Sequence, residues 1–105
     1  MNQTLISSTK EQIVRGLIIK LLEQTGSEGG SLELLQIALK QTGHELTTDK
    51  LLKTLTYLAD KGLVRTETVE NKVLGIKRHI TKLTAKATDL LEGTIIIDGI
   101  ILPEV

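Results

Sequence analysis

The sequence predicts a mainly α fold with one small β-hairpin, and three observations carry that prediction. Apolar residues recur at three- and four-residue steps in three successive stretches before residue 62. The pattern then changes to even spacing, rich in Val and Thr. Glycines at 26, 43, 62 and 93 stand where each periodic stretch gives out.

Taken in order, Ile13, Val14, Leu17, Ile18, Leu21 and Leu22 form one helical face. Ser8 with Glu11 and Thr9 with Gln12 have capping-box spacing, which starts this helix near Ser8 or Thr9. Gly26 ends it, and Gly26-Ser27-Glu28-Gly29-Gly30 reads as a flexible connection. Ser31 is the N-cap of a second helix that buries Leu34, Leu35, Ala38 and Leu39 and stops at Gly43. Thr47 caps a third, reaching Lys61, with Leu51, Leu52, Leu55, Leu58 and Ala59 inward and Gly62 in the left-handed position beyond it. Residues 63–69 and 73–82 read as strands, with Glu70-Asn71-Lys72 as the reversal. Arg78 shares parity with Leu74 and Ile76, so a sheet edge or a partner has to accommodate its charge. Thr84 caps a last helix through Leu90 and Leu91, and Gly93 ends it.

Helix, helix, helix, hairpin, helix is the order of a winged helix-turn-helix: a three-helix core, a wing, a C-terminal helix and here an apolar tail. The short connection Thr42-Gly43-His44-Glu45-Leu46 suits the turn between the second and third helices. The glycine-rich segment at 26–30 takes the place of the short first strand of that fold. The chain divides into a winged-helix domain over 1–93 and a tail over 94–105. In the tail Ile95, Ile96, Ile97, Ile100, Ile101 and Leu102 are too apolar to stand exposed together on a monomer. Burying them contributes on the order of 10 kcal/mol before entropy, at about 2 kcal/mol each. Either the tail covers its own core or it pairs with a second chain. The expectation is a homodimer, with Asp98-Gly99 as a turn between two apolar halves.

Composition removes several classes of function. With 105 residues the chain is one domain, and 40% hydrophobic with 25% charged residues is the balance of a folded globular protein. Tyr57 is the lone aromatic residue, which argues against a base-stacking surface for single strands. The absence of cysteine excludes disulfides, thiolate metal sites and a cysteine nucleophile. His44 and His79 have no carboxylate at ligand spacing, and the glycines match no phosphate-binding loop. No enzyme, metal, cofactor or small-molecule ligand is expected. Nor is a membrane span, and the expected compartment is the cytoplasm.

Thirteen basic and thirteen acidic residues cancel, but unevenly. Residues 47–82 hold eight basic side chains against four acidic ones, a local +4, and the remainder carries −4. On a winged helix that excess falls on the third helix and the wing, where duplex DNA would bind. Lys50, Lys53, Lys72, Lys77 and Arg78 are the candidate phosphate contacts, and Thr48, Thr54 and Tyr57 the candidate base or sugar contacts, with Thr47 and Lys61 at the ends of the helix. Against this, exposed lysines often form only a solvated face, Asp49 and Asp60 repel phosphate, and Tyr57 also suits packing against the wing. The alternative function is therefore a protein-interaction and dimerisation module that binds no DNA.

The run Leu55-Thr56-Tyr57-Leu58-Ala59-Asp60-Lys61-Gly62-Leu63-Val64, followed by Leu83-Thr84-Ala85-Lys86 and Asp89, resembles bacterial winged-helix regulators. With Gly93, Gly99-Ile100 and Pro103 included, the chain resembles a small winged-helix family of Mu-like transposable phages and prophages, from about Val14 to Pro103. The resemblance implies a phage-encoded protein acting on DNA in a bacterial cytoplasm. It supplies no operator. The chain departs from the family in two respects: Ile101-Leu102 stand where members often carry basic residues, and Ala87 replaces a frequent glycine.

Overall fold

The structure, a computed structural model, describes residues 3–104; Val105, at the end of the tail, lies outside them. The helix α1 spans Gln3–Thr25 and passes through one 3-10 turn, Gly26–Glu28, into the two-residue strand β1 (Gly30–Ser31). Next come α2 (Leu32–Gln41), α3 (Thr48–Asp60), β2 (Val64–Asn71), β3 (Ile76–Leu83) and α4 (Ala85–Glu92). The three strands form an antiparallel sheet in the order β1-β3-β2. Ile18, Ile19 and Leu22 of α1 meet Leu35 and Leu39 of α2, Leu51 and Leu58 of α3, Leu63, and Ala87 and Leu90 of α4 in one buried cluster.

Local caps settle most boundaries. The hydroxyls of Ser31, Thr47 and Thr84 accept from the amides of Leu34, Lys50 and Ala87, as their positions in the sequence suggest. Gly62 has φ +77°, a left-handed value that a side chain would disfavour, and it turns α3 directly into β2. The Leu63 amide bonds back to the Leu58 carbonyl at 2.9 Å, which closes this exit.

Five expectations need correction. First, α1 begins at Gln3, several residues before Ser8 and Thr9, and neither is a cap: Thr9 Oγ1 donates to the Leu5 carbonyl at 3.0 Å, inside the helix. Second, the short first strand is present after all, because Gly30 and Ser31 pair with Thr81 and Ile80. Third, the buried stripes are narrower than periodicity suggests; Leu34, Leu52 and Ala59 are exposed, while Ile19 is fully buried. Fourth, the hairpin reverses at residues 72–75, with Asn71 opposite Ile76 as the last pair. Fifth, Arg78 needs neither an edge nor a partner. From Thr68 to His79 both strands are exposed on both faces, so its guanidinium simply meets water.

Over its described residues, 94–104, the tail forms no strand. Residues 98 and 99 are a turn, but the apolar segments on either side do not pair. Ile95, Ile97, Ile100 and Leu102 pack against the chain's own core, while Ile96 is 92% and Ile101 41% exposed. The tail lies along α1: the Ile101 amide donates to the Gln12 carbonyl at 3.1 Å. It crosses at Gly16, where any Cβ would overlap the Ile101 carbonyl. A glycine inside a helix costs about 1 kcal/mol relative to alanine. Here that cost lets two backbones touch.

Candidate nucleic-acid interface

The third helix presents its expected residues on different sides. Lys50, Lys53, Thr54 and Tyr57 line a groove of about 770 Å³ with Lys10, Glu11, Val14 and Arg15 of α1 and with residues 43–46 of the turn before α3. Thr48 stands two residues before Lys50, roughly 200° away around the helix. There its hydroxyl accepts from Gln36 Nε2 at 3.1 Å, linking α2 to α3. Thr47 is occupied as the cap. The Thr54 hydroxyl donates to the Lys50 carbonyl at 2.9 Å, leaving its oxygen free to accept.

Tyr57 is half-buried and held within the fold. The Arg15 guanidinium lies 3.7 Å from its ring centroid, and the Lys61 ammonium 5.5 Å. Arg15 also donates to the Gly99 carbonyl at 3.0 Å, so one arginine ties α1, α3 and the tail together. Nothing singled out Lys10 or Arg15 from the sequence. Gly16 was a signal, since an isolated glycine in a helical pattern often marks a close backbone approach.

The wing contributes Lys72, Lys77 and Arg78, all exposed. The other two wing cations, Arg65 and Lys82, flank Glu67 at 3.5 and 3.0 Å. The Lys82 hydrogen bond and charge, with Arg65 adding to both, hold the Glu67 carboxyl below its ordinary range. These two cations and one carboxylate account for only +1 of the local +4, and the other +3 lies elsewhere on α3 and the wing. Among the described residues, Lys50, Lys53, Lys61, Lys72, Lys77 and Arg78 form no ion pair. Their charge is available to an external anion. The same residues include no cluster of three acidic or histidine side chains suited to a metal, and no helix long and apolar enough to cross a membrane.

A helix-turn-helix followed directly by a hairpin defines the winged-helix class. Among solved structures the chain is similar to a PadR-like transcription factor from Bacteroides fragilis. The two share 24% identity over 88% of this chain and 85% of that one, with a TM-score of 0.71. At that identity the likeness establishes the fold. No protein-family profile and no curated protein sequence matches the chain.

Proposed function

We propose that the chain is a winged-helix DNA-binding regulator, with α3 in the major groove and the wing on the phosphate backbone. The observation that carries this reading is where the unpaired cations lie: of the eight without a carboxylate partner among the described residues, six (Lys50, Lys53, Lys61, Lys72, Lys77 and Arg78) belong to α3, its C-terminal cap and the wing, and the other two are Lys10 on α1 and Lys86 on α4. Arg15, Lys20, Lys40, Arg65 and Lys82 each have a carboxylate partner. Lys50 and Lys53 on α3 and Lys72, Lys77 and Arg78 on the wing have none, on the two elements that a winged helix turns toward DNA. The transcription-factor description of the similar structure supports the same reading. The resemblance of the tail, through Gly93, Gly99-Ile100 and Pro103, extends it to a protein of a Mu-like phage or prophage working in its bacterial host.

Fluorescence anisotropy with labelled duplexes at low salt tests this. The wild type binds, Lys50→Glu/Lys53→Glu does not, and Lys77→Glu/Arg78→Glu binds more weakly. No wild-type binding at low salt overturns the reading. The second reading, an interaction module, draws on Ile96 and Ile101, which the folded tail leaves exposed on its outer side. A homodimer through them fits either reading, because two-fold DNA binders address paired half-sites. Sedimentation should then report a dimer for the wild type and a monomer for Ile96→Ser/Ile101→Ser; a monomeric wild type removes the dimer.

A further inference from the structure

The wing ends in two aliphatic side chains that the fold does not use. Val73 is 94% and Leu74 68% exposed, and both stand in the reversal between β2 and β3. This tip is well defined. Asn71 Oδ1 accepts from the Leu74 amide at 3.0 Å, and the strands stay paired up to Asn71 opposite Ile76. Docking such a tip orders side chains but no loop backbone, which limits the conformational entropy lost. Val69 and Ile76, beside it, are about half exposed as well. Single exposed aliphatics need no explanation, but four on one hairpin end do.

Their electrostatic setting selects the partner. Lys72, Lys77 and Arg78 flank the tip with no carboxylate in ion-pair range; Glu70, directly opposite Lys77 across the hairpin, is the acid beside them, which leaves a local excess of +2. An apolar point ringed by cations complements a narrow cleft with apolar walls and anionic rims. The minor groove of duplex DNA, about 6 Å wide, has sugar walls and phosphate rims, and accepts aliphatic wedges. Reach agrees. The eight residues of β2, from the end of α3 to the reversal, span about 26 Å, more than the roughly 17 Å needed. About 17 Å is half a helical repeat, the spacing from a major groove to the neighbouring minor groove.

We propose that Val73 and Leu74 form a minor-groove wedge that reads groove shape, while Lys72, Lys77 and Arg78 hold the flanking phosphates. This rests on the DNA-binding reading above and adds to it a source of sequence preference that needs no base hydrogen bond. Steps bearing the guanine 2-amino group obstruct the wedge, and steps lacking it admit the tip.

Alternating dI·dC and dG·dC duplexes of about three helical turns isolate the effect. Their major-groove edges are identical, and they differ in the minor groove by the guanine amino group. The wild type should bind dI·dC at least about fivefold more tightly. Val73→Ser/Leu74→Ser should bind both duplexes equally, with an unchanged salt dependence, and Lys50→Glu/Lys53→Glu should lose both. Both tip residues are exposed, so the serine variant keeps its fold, which circular dichroism checks. Equal wild-type binding to the two duplexes, or a preference that survives in the serine variant, overturns the wedge while leaving DNA binding intact. So does a serine variant that binds DNA normally but loses binding to phosphatidylserine vesicles, which makes the tip a membrane contact. A wild type that binds neither duplex removes the DNA-binding reading itself.

Discussion

Arg15 and Gly16 determine how the tail lies. Gly16→Ala separates two opposing effects, since alanine favours an isolated helix by about 1 kcal/mol but its methyl overlaps the Ile101 carbonyl. In the full chain we expect overpacking to dominate and urea unfolding to register a loss of about 1–3 kcal/mol. In a chain shortened after Gly93 the same substitution should stabilise slightly. The same sign in both backgrounds would mean that the tail does not cross there. Glu67 gives a pH signature. Its carboxyl lies below the ordinary value of 4.5, so its contribution is present above that pH and fades as the pH falls through the lower, folded-state value. The stability difference between wild type and Glu67→Gln should therefore be present at neutral pH and close in acid. A pH-independent difference would break the assignment to Lys82 and Arg65. Caps such as Thr47 and Thr84 were legible in the sequence because a cap is satisfied within four residues. Ser8 and Thr9 have the same spacing, yet the residues before them continue the helix, and a hydroxyl inside a helix can bond back to a carbonyl instead.

At the level of elements, the hairpin and the tail separate what pattern conveys from what it does not. Alternation marked both wing strands, but the reversal falls two residues later than its polar residues suggest. Val73 and Leu74 look like strand residues because they are apolar, whereas Asn71 is the residue that opens the turn by accepting from the Leu74 amide. Reading apolar as buried fails on a hairpin end that no part of the fold covers. It also widened the stripe of α3 to include Leu52, which is exposed. The tail raised a different problem. Hydrophobicity alone left open whether it covers its own chain or a second one, and the contacts with Gln12, Arg15 and Gly16 place its inner side on α1. Deleting residues 94–105 should therefore uncover the α1 face and lower the urea midpoint substantially, whatever the oligomeric state. A truncated chain as stable as the full one would deny the tail any part in the core.

The whole molecule is extended for its length. Its radius of gyration is 14.2 Å and its long dimension 54 Å, against about 13 Å expected for the radius of a compact chain of this size. A hairpin with both faces in water and an α1 whose first turns expose Leu5 and Ile6 account for much of this. The winged-helix fold was readable because its core follows from helix periodicity and glycine stops. The candidate interface was readable only as a list of charges, since pairing decides which of them remain available. Net charge is zero, so any affinity for DNA arises from the local arrangement and should be steeply screened. The decisive measurement is a salt titration of duplex binding by anisotropy between about 50 and 200 mM. Five phosphate contacts, from Lys50, Lys53, Lys72, Lys77 and Arg78, give a slope near −4.5 in log affinity against log salt, a loss on the order of 500-fold over that range. Lys77→Glu/Arg78→Glu should flatten it by roughly two units or more. A slope near zero, or one that these substitutions leave unchanged, would contradict a DNA-binding face built from α3 and the wing.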